Sequence, residues 1–348
     1  MSTRPLDRAR IATLFLAVLA LLVTPAGAQE IRAHEEITVE RILIDVHVID
    51  LKGNPIEELR PSDFRVRIDG LPAVVESIEW IDSTSPDEGL LVMEEGEDVE
   101  PARPAGGRLI VIFFQTDFQR DRVKGQMRMT THAIEFLDSL TPRDRVAVVS
   151  FDSHLKLRQD FTSDRARLEK AIRDAILINH PPSSEIVPNP SLFRRLPRDD
   201  ARRAATPEKA LYLVGNALLP IEGPKTLVLF GWGLGRYGVG GVQMIRDYSI
   251  ARSALEASRT SVFSLDISDA DYHSLEVGLQ KVSADTGGFY ARTHIFPRFA
   301  IEKLQRAISG HYVLVIKRPD GPRGVHRIEI DLRRNIKATV LSRSTYRD

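Results

Sequence analysis

Apolar and polar side chains alternate along the first part of the chain. Ile42, Ile44, Val46 and Val48 interleave with Leu43, Asp45 and His47, and Phe64, Val66 and Ile68 interleave with Arg65 and Arg67. That two-residue period marks strands with one face buried. Lys52-Gly53-Asn54-Pro55 and Asp69-Gly70-Leu71-Pro72 carry turn chemistry between the runs, so a small sheet is expected over 37–81.

After residue 108 the pattern changes. Continuous apolar runs at 109–114, 145–151, 226–230 and 261–267 alternate with helical periodicity at 127–140, 165–178, 207–219, 242–258 and 274–286, and a short strand follows at 289–290. Strands that are apolar throughout and separated by helices predict an α/β domain, with a doubly wound, mostly parallel sheet covered on both faces. In such sheets ligands bind beyond the carboxyl ends of the strands. The loops after Phe114 and Phe230 are therefore the ones to read for function.

A last helix at 301–308 precedes runs at 312–316, 325–332 and 338–341 that return to strand character. So few strands make a poor core on either flank. The two flanks are expected to form one β-sandwich into which the α/β domain is inserted. The expected layout is a leader at 1–28, a β segment at 29–81, a tether at 82–107, the α/β domain at 108–309 and a second β segment at 310–348.

Arg4, Arg8 and Arg10 precede an apolar stretch at 11–23 and small residues up to Ala28, which reads as a secretory signal cleaved between Ala28 and Gln29. The stretch is shorter than the roughly 20 residues a membrane helix needs. An exported protein, periplasmic or secreted, without a membrane span in its mature chain is expected. The tether is rich in Pro and Gly and acidic at Glu94, Glu95, Glu97, Asp98 and Glu100, a composition that resists packing. Lys plus Arg and Asp plus Glu balance at 48 each, so the basic excess of a nucleic-acid binder is missing. With 0 cysteines, no disulfide helps in the oxidising compartment that export implies.

Catalytic motifs are scarce. There is no G-x-S-x-G elbow or H-E-x-x-H helix, and the 9 histidines, His132 and His273 among them, lie singly. Gly233-Leu234-Gly235-Arg236-Tyr237-Gly238 has the G-x-G-x-x-G form after a strand and before a helix, with Asp266 ending the next strand, which opens a nucleotide-binding reading. The glycines begin later than the turn requires and the acid lies farther on than ~20 residues, so a flexible glycine loop competes. Arg194, Arg195, Arg198, Arg202 and Arg203 read as a solvated basic loop, with an anionic partner or the acidic tether as the alternative.

Leu109 to Phe114 followed by Gln115-Thr116-Asp117-Phe118-Gln119, then Leu140-Thr141-Pro142-Arg143-Asp144-Arg145-Val146-Ala147-Val148, resembles the opening of a von Willebrand factor type A domain. Asp50-Leu51-Lys52-Gly53-Asn54-Pro55, Leu59-Arg60-Pro61-Ser62-Asp63-Phe64 and Asp69-Gly70 upstream are similar to the β segment of exported, acidobacterial-type members. Ala284-Asp285-Thr286-Gly287-Gly288-Phe289-Tyr290 and Gly310-His311-Tyr312-Val313-Leu314 extend the likeness over nearly all of 38–346. It implies a Rossmann-like sheet and a divalent cation held by an Asp-x-Ser-x-Ser motif, a Thr from a second loop and an Asp after a later strand.

In this chain the leading Asp aligns with Gln115, both serines are changed, the Thr corresponds to Thr206, and the later Asp falls at Gly231 or Trp232. Only Asp117 keeps a charge, so no metal and no cofactor are expected. The resemblance then implies a degenerate adhesion site where Gln115, Thr116, Asp117, Gln119, Thr206, Gly231 and Trp232 meet a protein partner, Trp232 being an exposed aromatic anchor. Ordinary loop and capping roles are the competing reading, with Thr206 standing where a helix cap is wanted. The expected function is a non-enzymatic binding module, and the alternative is an envelope scaffold without a ligand.

Overall fold

The computed structural model describes residues 40–84, 107–176, 190–270, 273–333 and 336–348, all within the unit Glu40–Asp348. The expected leader with its junction at Ala28 and Gln29, and residues 85–106 of the acidic tether, lie outside the described residues. In chain order come β1 (Arg41–Ile49), β2 (Phe64–Ile68), β3 (Leu71–Ala73), β4 (Val75–Asp82), β5 (Leu109–Gln115), α1 (Arg120–Phe136), β6 (Arg145–Phe151), β7 (Leu155–Thr162) and α2 (Arg165–Ile176). Next are α3 (Arg198–Arg203), α4 (Pro207–Leu218), β8 (Lys225–Gly231), β9 (Arg236–Gly238), β10 (Gly241–Gln243), α5 (Arg246–Ala257), β11 (Thr260–Asp266), α6 (Glu276–Thr286) and β12 (Tyr290–Arg292). Then follow α7 (Pro297–Ala307), β13 (Gly310–Lys317), β14 (Val325–Leu332), β15 (Thr339–Ser342) and β16 (Thr345–Arg347).

A six-stranded sheet has the order β12-β11-β8-β5-β6-β7. Its strands are parallel except for β7, which runs antiparallel to β6. Each central strand feeds two cores by alternating its side chains. Val111, Phe113, Leu227 and Leu229 pack with Leu211, Val214, Ala251 and Leu255 of α4 and α5. Ile110, Ile112, Phe114, Val228 and Phe230 pack with Met129, Phe136, Ile172 and Leu304 of α1, α2 and α7. Fully burying each such side chain stabilises the fold by about 2 kcal/mol. The chain runs outward from β5 to β6 and β7 and then returns to β8 on the other side of β5, which places the switch point of the sheet between the ends of β5 and β8.

β7 has no counterpart in the sequence reading. Its segment carries Lys156, Arg158, Gln159 and Asp160, yet all four are buried. Each is engaged: Lys156 Nζ lies 2.5 Å from Asp152, Arg158 Nε donates to Ser150 Oγ at 2.7 Å, Gln159 Nε2 donates to the Asp160 carbonyl at 3.1 Å, and Asp160 holds the insertion that follows. Pairing offsets the cost of burying these groups.

Two antiparallel four-stranded sheets, β15-β1-β13-β4 and β16-β14-β2-β3, draw strands from both flanks. Ile44, Val46, Phe64, Val66, Tyr312, Leu314, Ile328 and Ile330 share one core between them. Tyr312 hydroxyl donates to Ile56 O at 3.1 Å and accepts from Leu59 N at 3.0 Å, fixing the loop between β1 and β2. The far end of β1 turns its other face to the α/β core: Ile49 joins the cluster of α7, and Asp45 accepts from Arg259 Nε at 2.9 Å. No helix among the described residues is long and apolar enough to cross a membrane.

Candidate functional site

Phe114 and Phe230 are register neighbours with rings stacked at 4.9 Å, so the loops after β5 and β8 leave the carboxyl edge of the sheet side by side. α1 begins directly after the first loop. It lies close over the end of β11 because Gly125 has no side chain: a Cβ there would sit 1.6 Å from the Ile267 carbonyl oxygen.

Gln115 is 1% exposed and clasps the opposite loop. Its Nε2 donates to Gly233 O at 2.8 Å, while its Oε1 accepts from Trp232 N at 3.0 Å and Gly233 N at 3.3 Å. A carboxylate could accept but not donate, so an amide fits this loop and an aspartate does not. Gly231 leaves room for the same clasp, since a Cβ there would lie 2.9 Å from Gln115 Oε1.

Arg122 fills the space above. Its Nη1 donates to Asp117, and its guanidinium lies 3.5 Å from the centroid of the Trp232 ring. Gln119 occupies the N-cap position of α1 without a side-chain cap, and its N–H donates to Asp117 Oδ1 at 3.2 Å. Thr116 donates from both N and Oγ1 to Phe151 O, at 2.7 and 3.2 Å, which ties the loop to β6. Thr206 is the cap of α4: its Oγ1 accepts from Lys209 N at 3.1 Å and donates to Asp247 at 3.3 Å. α4 reaches the crevice through Glu208, whose Oε1 accepts from Gly235 N at 2.6 Å and whose carboxyl is pushed up by burial.

Four of the residues expected to face a partner are placed otherwise. Gln115, Thr116 and Gly231 are buried and spend their polar groups internally. Trp232 is half-buried beneath Arg122 and packed against the core, with its Nε1 buried and without a hydrogen-bond partner, so it is no exposed anchor. The exposed aromatic of the loop after β5 is Phe118, 77% accessible. Its signal was a large apolar residue between Asp117 and Gln119, just past a buried strand.

The stretch Gly233 to Gly238 opens no helix. Arg236–Gly238 pairs with Gly241–Gln243 as a hairpin, and α5 starts only at Arg246. Gly233 has φ 154°, and a Cβ there would lie 2.4 Å from Leu275 Cβ, so close packing demands the glycine.

A second cluster escaped the sequence reading. Ligand atoms of Asp266, His273 and Glu276 lie within 4.8 Å of one another. His273 Nε2 is 2.7 Å from Asp266 Oδ2, Tyr290 hydroxyl reaches Asp266 at 2.8 Å and Glu276 at 3.0 Å, and Arg292 Nη2 donates to Glu276 Oε1 at 2.7 Å. The turn from β11 into α6 gathers the two acids and the histidine, and β12 brings Tyr290 and Arg292 beside them by pairing with β11. A cation there would displace Tyr290 and Arg292.

Around the closed crevice the edge carries large exposed apolar side chains. Phe118, Tyr237, Val239, Ile295 and Phe296 all stand exposed on the loops after β5, β8 and β12, Val239 at 99%.

Gln115→Glu tests the clasp. It removes the donor to Gly233 and buries a charge, so stability falls by about 2 kcal/mol at neutral pH. The introduced carboxyl has a raised folded pKa, so the folded state binds the extra proton and the deficit relative to the parent shrinks as pH falls. Urea unfolding of both proteins at pH 7 and pH 5 checks it, and a variant as stable as its parent at neutral pH would show the clasp to be unimportant.

No protein-family model matches the chain, and no curated protein does. Among solved structures the chain is similar to BatB from Bacteroides thetaiotaomicron, at 14% identity and TM-score 0.39 over 58% of this chain and 98% of that one. It is also similar to a von Willebrand factor type A protein from Catenulispora acidiphila, at 10% identity and TM-score 0.41 over 88% and 73%. The PilB minor pilin from Streptococcus sanguinis gives 11% identity and TM-score 0.36 over 78% and 87%. The fold description rests on the strand order and the cores given above.

Proposed function

We propose that this chain is a non-enzymatic, exported recognition module of the von Willebrand factor type A kind, which binds a protein partner at the carboxyl edge of its six-stranded sheet without a cation. The observation that carries this reading is the contrast between centre and rim. In the centre, Gln115 clasps Trp232 and Gly233, and Arg122 lies between Asp117 and Trp232. On the rim, Phe118, Tyr237, Val239, Ile295 and Phe296 are left in water. Apolar groups gathered on one edge and bordered by polar ones mark an interaction surface, and each large side chain that a partner covers contributes about 2 kcal/mol.

A photo-activated benzophenone side chain placed at Phe118 or Phe296 is expected to yield one discrete adduct with a second protein in the producing cell. The same group at Leu71, which is exposed on the sandwich, gives none. Absence of an adduct from the rim, or equal adducts from Leu71, would overturn the reading.

A further inference from the structure

We infer that the partner segment docking on this edge is acidic and interleaves its carboxylates with aromatic or branched apolar side chains; this rests on the recognition reading above. The argument is the direction in which charge is spent. The acids of the edge are turned inward. Asp117 is taken by Arg122, and Asp269 by Arg128 at 3.0 Å and His294 at 2.8 Å. Glu208 is buried on the Gly235 amide, and Asp266 and Glu276 are closed by His273, Tyr290 and Arg292. Asp247 accepts from Thr206, which leaves Asp121 as the acid most open to water among the described residues of these loops.

The bases are turned outward. Arg120 and Lys124 on the first turns of α1, Arg236 on β9 and Arg246 at the start of α5 are exposed, and of these only Arg236 acts on an acid of the edge, the buried Glu208. They stand among the exposed apolar side chains: Phe118 precedes the N-cap of α1, and Tyr237 and Val239 share the hairpin with Arg236. The amino end of α1 adds its own partial positive charge beside Arg120. Arg122, its side chain 21% exposed, is the cation at the middle of the edge. A carboxylate brought by a partner meets several exposed cations and, among the described residues, few competing acids, while an apolar neighbour on the same segment covers Phe118 or Val239. A basic or purely apolar segment would gain only one of these two interactions.

The test uses defined polymers, so that it does not wait on the natural partner. Fluorescent poly(Glu,Tyr), poly(Lys,Tyr) and poly-Glu are titrated against the full chain and followed by anisotropy. The expected result is that poly(Glu,Tyr) binds at least about tenfold tighter than either other polymer, and that raising the salt weakens it. The combined variant Arg120→Glu, Lys124→Glu, Arg236→Glu loses about tenfold or more, and Phe118→Ser with Phe296→Ser loses a similar factor. These positions are exposed, so unchanged unfolding curves confirm that both variants are folded. Equal affinity for poly(Glu,Tyr) and poly(Lys,Tyr), or a charge-reversed variant that binds as its parent does, overturns the acidic partner. Equal affinity for poly-Glu overturns the apolar half. If the Phe118 adduct in cells survives the charge reversal, the recognition reading stands and this inference falls; if no rim adduct forms even in the parent, the recognition reading has failed.

Discussion

Replacing Asp160 by alanine should cost about 4 kcal/mol of stability and expose the segment at 190–197 to proteases at denaturant concentrations where the rest of the domain is still folded. Asp160 is 0% exposed, in the middle of β7. Its Oδ1 accepts from Phe161 N at 2.8 Å and Leu192 N at 2.7 Å, and its Oδ2 accepts from Ser191 Oγ at 2.6 Å and Phe193 N at 3.2 Å. Alanine leaves those buried donors unpaired, each at about 1–3 kcal/mol. The same contacts seat Leu192 and Leu196 in the core beneath α4, so losing them also loosens packing. Asparagine at the same position keeps one acceptor and should lose roughly half as much. Urea unfolding and timed proteolysis of both variants measure this, and a loss below about 1 kcal/mol for alanine would mean that water replaces the carboxylate.

Acid should weaken the joint between the sandwich and the α/β domain by about 3 kcal/mol between pH 6.5 and pH 4, through His311. Burial, then the nearby His47, push its imidazole down to about 4, against the pull of Asp45 and with a smaller push from Arg259. Its Nε2 is buried without a hydrogen bond, 3.7 Å from Asp45, and its ring centroid is 5.5 Å from that of His47. His47 is lowered too, chiefly by burial, with its Nδ1 3.0 Å from Ala307 O.

The sign follows from proton counting. Where the unfolded imidazole is protonated and the folded one is not, the unfolded state binds more protons, so stability is complete above the ordinary value and falls as pH drops towards the folded one. Asp45 works lower on the scale. Burial raises its carboxyl, but the Arg259 hydrogen bond and charge outweigh that and leave it lowered, so its contribution is lost only in stronger acid. His311→Gln should flatten the fall of unfolding free energy between pH 6.5 and pH 4 whatever it does to stability at neutral pH. A parent protein whose stability is flat over that range would rule out a neutral, buried His311.

Much of the architecture was legible because periodicity reports burial directly. The continuous runs at 109–114 and 226–230 lie within β5 and β8, and the alternation at 42–48 lies within β1. It misled where burial was bought by pairing. His47 reads as a solvent-facing partner of Val46 and Val48, yet it sits in the joint, and the charged residues of β7 hide a strand that Asp152, Ser150 and Ser191 make possible. The start of α1 was placed too late because its first turns are polar and contain Gly125, a residue there for the close approach to Ile267.

At the crevice, the changed identities of Gln115, Gly231 and Trp232 were visible, but their meaning was not. That Gln115 reaches the loop past Gly231 needs the register of β5 against β8. That Trp232 is covered needs Arg122, one turn into a helix whose start was misplaced.

The central proposal is that the crevice between the loops after β5 and β8 is closed by the protein's own groups and takes no cation. Unfolding of the full chain followed in EDTA and in excess Mg²⁺, Mn²⁺ or Ca²⁺ tests it most directly. The expected result is superimposable curves, because Gln115 is spent on the opposite loop and Asp117 on Arg122. A site filled at about a hundred times its Kd would instead add about 2.7 kcal/mol, and a shift of that kind with one cation, lost in Asp117→Ala, would contradict the claim.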